Sequence, residues 1–311
     1  MSQQKAIIDK LLTNVSSAYI PEGFISESIF PEVMSMQKTG KLAKYGTDHL
    51  RLEQTVIGGE GEYSRIRTIV RSNTSYSIEG HGLQSIVTED DYQNSEKPYD
   101  AEADETMGIT STLMVGKEKG LADVLADTAI LTQNTTLSGT SQWNDYGNSD
   151  PVDDFITARQ AVKDGCGFAP DLAIMGWDVA ERLRYHPGLL DALGFKDNRP
   201  GGLNDKELAS VLQVKRVLIG SASYESAKKG QSSSLASIWG KHLIFAKMPA
   251  KAMKYQVSLG YCFKLKNRKP RRVFKWAVNN PPNAKAILVD DHYDFVITNV
   301  GAGYLIKDAI A

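Results

Sequence analysis

Cysteine is nearly absent: the 311 residues hold two, Cys166 and Cys262, far apart and in unrelated contexts. That excludes a disulfide-stapled scaffold; reduced thiols are expected, although sequence alone leaves a bond between them open. No apolar run approaches the roughly 18 residues of a transmembrane helix. Met1 to Asn14 alternates charged and apolar residues, so no secretory leader is expected. The five histidines, His49, His81, His186, His242 and His292, fall on separate predicted elements, none with metal-ligand spacing to Cys or Glu. No Glu-x-x-His motif occurs, and Ser138 to Ser141 flanks glycine without the Gly-x-Ser-x-Gly elbow of a nucleophilic serine. Gly58, Gly59 and Gly61 are not a phosphate cradle, since neither Gly-Lys-Ser/Thr nor a helix start follows them. Asp290, Asp291, His292 and Asp294 could hold a cation, but a polar turn before a last strand is the better reading. Neither a cofactor nor a metal is expected.

Two further absences are local. No Asp or Glu lies between Glu225 and Asp290, and no Lys lies between Tyr45 and Glu96. The net charge of −1 therefore hides a division: 13 Lys/Arg stand against 24 Asp/Glu up to Gln160, and 23 against 13 from Ala161 onward. Halves of opposite sign attract other copies of the same chain. In the basic half, Lys264, Lys266, Arg268, Lys269, Arg271 and Arg272 form a candidate contact strip interleaved with Tyr261, Phe263, Phe274 and Trp276. Such a strip could neutralise phosphates and stack on bases. The simpler reading makes it the outward side of a β-hairpin whose aromatic residues face the core.

What remains is ordinary globular material. A hydrophobic fraction of 41% over this length permits a large core, divided between two compact parts. Ile7, Ile8, Leu11, Leu12 and Val15 have helical spacing, and Pro21 and Pro31 then keep the chain extended. Arg51 to Ser77 reads as a long hairpin: LRLEQTVI alternates, glycines supply the turn, and YSRIRTIVRS returns. Its apolar surface is too small for it to stand alone, so it must lie on something. Tyr76 to Val87 predicts a strand and then a turn-rich segment. From about Tyr99 to Thr132 a three-and-four spacing predicts one long helix, a rod of roughly 50 Å at 1.5 Å rise, with a solvated acidic face and a kink at Gly116 or Gly120. NDKELASVLQV predicts a capped helix and KRVLIGSASYE a strand. SLASIWGKHLIFAKMP predicts a strand with a loop, KYQVSLGYCFKLKN and RRVFKWAVNN a strand pair, and YDFVITNVGAGYLIKDAI one last strand.

The segment from Leu137 to Gly194 is the most specific. Ser149 or Asp150 can cap a helix that begins at Pro151, with Asp153 and Asp154 at its positive end. Phe155, Ala158 and Val162 give that helix an apolar stripe, Gly165 and Gly167 stop it, Leu172 to Met175 reads as a buried strand, and Pro187 interrupts the helix after it. Helix, strand, helix suggests an α/β layer.

This segment, with Ser-Gly-Thr-x-x-Trp, Ser-Asp-Pro and Leu-x-x-His-Pro at Leu183, His186 and Pro187, resembles the start of the axial domain in major capsid proteins of tailed bacteriophages. Phe30 to Val33, Thr39 to Lys41 read as a turn, and Ile-Trp-Gly at 238 to 240 resemble the same family, in the same order along nearly the whole chain. The resemblance implies an α+β, HK97-like capsid fold: an N-terminal arm (1–50), an extension loop (51–77), a peripheral domain with a long spine helix (78–136), an axial α/β domain (137–254) and return strands (255–311). It further implies a non-enzymatic shell protein, whose copies form pentamers and hexamers of an icosahedral head around double-stranded DNA. Scaffolding and portal proteins would be partners, DNA would be held nonspecifically, and assembly would occur in the host cytoplasm. Glu60, Glu62, Arg65, Arg67 and Arg71 of the loop become candidate intersubunit contacts. Some family members crosslink a loop lysine to a neighbour's asparagine, and this loop has no lysine to offer. An encapsulin-like compartment is the alternative on the same fold, and a hydrolase or nucleic-acid-processing enzyme the alternative from another class.

Overall fold

The computed structural model describes residues 6–44, 70–94, 100–194, 201–252, 256–278 and 283–311, with the side chains of 43–44, 70–73 and 94 outside that description. The chain begins with β1 (Ile7–Ile8), α1 (Lys10–Ala18), α2 (Ser26–Ile29) and β2 (Glu32–Ser35). β3 (Thr39–Lys44), β4 (Val70–Ser77), β5 (Glu79–Val87), α3 (Glu89–Asn94) and the long α4 (Ala101–Ala126) follow. A second region holds β6 (Asn134–Thr136), α5 (Pro151–Cys166), β7 (Leu172–Gly176), α6 (Trp177–Arg184), α7 (Pro187–Ala192) and α8 (Asp205–Leu212). Next come β8 (Arg216–Gly220), β9 (Ser223–Glu225), β10 (Leu235–Ser237) and β11 (Leu243–Ala246). β12 (Gly260–Leu265), β13 (Arg272–Val278), β14 (Ala284–Ile297) and β15 (Gly303–Lys307) complete it.

Two sheets organise these elements. The first has six strands built around β14, whose 14 residues pair with β5 along one edge and with β13 and then β12 along the other. β1 adds to β13, and β2 runs parallel to β12. The segment read as an arm thus gives this sheet of its own chain two strands, and α1 packs on α4 through the Ser16–Thr110 hydroxyl pair at 2.7 Å. The second sheet runs β6-β15-β11-β7-β8, with β7 and β8 parallel and joined through α6, α7 and α8. α5 covers it, and Phe155 sits between Trp143 and Phe245 with ring centroids 5.3 and 5.9 Å away. One continuous core cluster joins both regions, from Ile29 and Phe30 through Leu121 and Leu125 to Trp239 and Leu305.

Local chemistry sets the helix ends. Asp150, rather than Ser149, caps α5 by accepting from Val152 N and Asp153 N, Pro151 takes the first helical position, and Gly167 closes the helix at φ 81°. Asp100 caps α4, two residues from the expected start. The far end falls at Ala126 instead of Thr132, because the Asp127 carboxylate accepts from Ala129 N and turns the chain out of the helix. At 26 residues α4 spans roughly 39 Å.

Several expectations are corrected. Thr39 to Lys41 is strand, not turn: β3 pairs with β4, so the paired base of the loop starts twelve residues before Arg51. Gly40 is needed there, since a Cβ would stand 2.6 Å from the Tyr76 hydroxyl. Tyr76 to Val87 is the end of β4 and all of β5, a second strand in place of a turn-rich segment. The final segment is two strands in two sheets, β14 and β15, and Asp290 to Asp294 lie inside β14 rather than in a turn. β12 and β13 do not pair as a hairpin with each other; they succeed one another along β14, with residues 266–271 looping out between them.

Candidate functional site

The predicted basic strip lies at that looped-out segment, and most of its charge is used inside the subunit. Arg271, at φ 48° and 3% exposed, donates to Glu27 Oε1 at 2.9 Å and to the Ser17 carbonyl at 2.7 Å. Arg272 holds Asp290 through two nitrogens, Arg268 lies 3.7 Å from the same carboxylate, and Lys264 is paired with Glu32. Lys266 and Lys269, both exposed, have no such partner among the described residues. The strip is therefore two exposed lysines beside an internal ionic network, not an open row of six cations.

Arg271 belongs to a buried node between the sheet and the long helix. Lys117 of α4, 3% exposed, lies 3.1 Å from Glu27 and 3.3 Å from Asp291, and its ammonium sits over the Tyr293 ring at 4.8 Å. Two cations face two carboxylates, so the node is neutral as a whole. Burial alone would raise the Glu27 pKa, but Lys117 and Arg271 outweigh it and hold it below the ordinary carboxylate value. Burial opposes charging of Lys117 as well, yet Asp291 and Glu27 keep its pKa above the ordinary amine value. The cation-site reading of Asp290, Asp291, His292 and Asp294 fails here. Alternate residues of β14 point to opposite faces, Asp291 meets Lys117, Asp290 meets Arg272, and Asp294 accepts from Ser77 N at 2.7 Å. No three-residue metal-binding group occurs among the described residues.

Glu118 forms a second tie. Fully buried, it accepts from Ile25 N at 2.9 Å, Ser26 N at 2.8 Å and Trp239 Nε1 at 2.7 Å, joining α2, α4 and the loop before β11. Near the start of α4, burial works against charging Glu102, but Lys275, Lys285 and the Tyr92 hydroxyl bring its pKa down to about 2. The solvated acidic face expected for this helix is thus partly internal. Its signal was spacing: Glu118 stands four residues after Met114 and three before Leu121, on the apolar stripe itself.

The base of the loop is also fixed. Tyr76 stacks on Phe263 at 4.5 Å and 4°, and its hydroxyl lies 2.7 Å from Ser35 Oγ. Glu60, Glu62, Arg65 and Arg67 lie outside the described residues. Arg71 is placed only by its backbone, opposite Ala43. Among the histidines, His81 stacks on Tyr293 at 4.5 Å, and His186 caps α7 by accepting from Gly188 N at 3.2 Å, while His49 lies outside the description. An open groove of about 840 Å³ runs between α4 and β5, lined by Gly80, Gly82, Gly116 and Gly120 with Lys117 and Asp294 at its side. No described helix is long and apolar enough to cross a membrane.

No family model matches the chain. Two curated relatives do, both named major capsid protein: one of Burkholderia phage BcepMu, 24% identical over 267 residues and covering 84% of each chain, the other of Pseudomonas phage JBD67, 26% identical over 248 residues and covering 79% of this chain and 78% of that one. Among solved structures, a phage-related protein from Bordetella bronchiseptica superposes with a TM-score of 0.75 over 98% of both chains at 22% identity. A Microbacterium phage Oxtober96 chain gives 0.57 over 93% of both chains at 12% identity. The SrpI encapsulin of Synechococcus elongatus gives 0.51 over 98% of this chain and 96% of that one at 9% identity. The chain thus has an HK97-like α+β fold, two sheets tied by one long helix, and it is similar over about four fifths of its length to phage major capsid proteins, which supports a structural capsid role.

Proposed function

We propose that copies of this chain assemble as pentamers and hexamers into an icosahedral head that encloses double-stranded DNA, put together in the host cytoplasm with scaffolding and portal proteins as partners. The observation that carries this reading is the match to two phage major capsid proteins over about four fifths of their lengths. The division into arm (1–50), extension loop (51–77), peripheral domain (78–136), axial domain (137–254) and return strands (255–311) is part of the proposal. Two sheets with a long helix beneath the first support it. In this reading Glu60, Glu62, Arg65, Arg67 and Arg71 brace a neighbouring subunit, and the exposed Lys266 and Lys269 meet either DNA phosphates or an acidic neighbour.

Likeness to an encapsulin favours a second reading on the same fold, a compartment for a cargo protein. The two differ in contents. Native particles should hold nuclease-protected double-stranded DNA, and particles filled with a single cargo protein and no nucleic acid would overturn the viral reading in favour of the compartment.

A further inference from the structure

One face of the second sheet region is left over after folding. α6 buries Val179, Ala180 and Leu183 and turns Trp177, Glu181 and Tyr185 outward at i, i+4 and i+8 spacing. Trp177 is 51% exposed, Tyr185 47% and the nearby Tyr146 37%; together they wall a groove of about 580 Å³. Tyr146 stands edge-on to the buried His186 ring at 5.2 Å, which anchors that side of the groove. None of these rings belongs to the core, and large exposed aromatics set among charges are the composition of an interface centre.

The charges choose the occupant. Asp178 and Arg182 stand one turn apart on the exposed helix face, and Lys241 closes the groove opposite, none with a side-chain partner among the described residues. Phosphates would meet the Asp178 and Glu181 carboxylates beside the aromatic rings, which disfavours a nucleic acid. A lipid surface would have to strip water from charges of both signs. A protein surface carrying both signs fits, and the acidic and basic halves of this same chain supply one.

We infer that the outward face of α6, with Tyr146 and Lys241, seats a second copy of this chain, the aromatic rings forming the buried centre and Asp178 and Arg182 pairing with opposite charges of the copy. This deepens the shell reading and rests on it. A ring of subunits needs head-to-tail contacts, so the face meets a different surface of the copy rather than its own equivalent.

Trp177→Ala and Arg182→Glu, made separately, test the contact, and both lie outside the core. Each variant should keep the wild-type far-ultraviolet dichroism and unfolding midpoint. The fraction assembled into particles should drop at least roughly tenfold at the concentration where wild type assembles, as expected when a contact at an interface centre is lost. A benzophenone amino acid at position 185 should crosslink chain to chain in assembled particles. Particles that form equally well from wild type and both variants, with no chain-to-chain crosslink, overturn the contact alone. So do crosslinks formed only to nucleic acid or to another protein. A wild-type chain that never forms particles overturns the shell reading and this contact together.

Discussion

Replacing Glu118 should reveal how far the subunit depends on a single buried carboxylate. Its three donors, Ile25 N, Ser26 N and Trp239 Nε1, have no solvent to turn to. Glu118→Ala leaves all three unsatisfied, at about 1–3 kcal/mol each, and some relaxation or water entry brings the expected total to about 3–5 kcal/mol. Glu118→Gln is milder. Its oxygen can still accept from Ile25 N and the indole, but its amide nitrogen faces Ser26 N, a donor against a donor, for about 2–3 kcal/mol. In a Trp239→Phe background one donor is already gone, so the cost of Glu118→Ala should shrink by about 1–2 kcal/mol. Equilibrium urea unfolding of subunits held below the assembly concentration measures all of these. A Glu118→Gln protein within about 0.5 kcal/mol of wild type, or a cost of Glu118→Ala that Trp239→Phe leaves unchanged, would refute the reasoning.

Burial holds the pKa of His186, His242 and His292 below the ordinary 6.5, against the pull of Asp150, Asp308 and Asp290 respectively. The unfolded chain then binds protons first, so stability is complete above the unfolded pKa and is lost as pH falls from there through the lowered folded values. Urea midpoints at neutral and mildly acidic pH should show this loss, and His186→Asn, which keeps a helix cap, should show less of it; identical slopes would count against the His186 assignment. Gly220→Ala would place a Cβ 2.0 Å from the Trp239 ring and should cost about 1–3 kcal/mol, whereas Gly116→Ala, with open space around it in a helix interior, should gain about 0.5–1 kcal/mol; thermal melts that rank them the other way would contradict the packing. Because no lysine lies between Tyr45 and Glu96, boiled and reduced mature particles should run as one band near 34.2 kDa, and a ladder of crosslinked oligomers would show the loop reading to be wrong.

Legibility in the sequence followed locality. The start of α5 was readable because Asp150, Pro151, Asp153 and Asp154 act on their own helix, and the break at Pro187 because proline breaks a helix interior but fits a first turn, so that it opens α7. Pairing across the sheet was not. β14 carries Asp290, Asp291 and Asp294 within five successive residues and looks like a turn, until Lys117 and Arg272, distant in sequence, neutralise Asp291 and Asp290 and Ser77 N donates to Asp294. The same nonlocal pairing consumed Lys264, Arg268, Arg271 and Arg272, which a linear reading counts as a surface strip. The apolar side of α6 was legible in the spacing of Val179 and Leu183, whereas nothing local marks Trp177 and the following Tyr185 as an exposed pair.

Electron microscopy of the purified protein, alone and with its native particles, tests the central claim most directly. Closed shells of uniform diameter, built of five- and six-membered rings of this one chain, are the predicted result. A discrete monomer or small oligomer under every assembly condition, with no rings or shells, would contradict it.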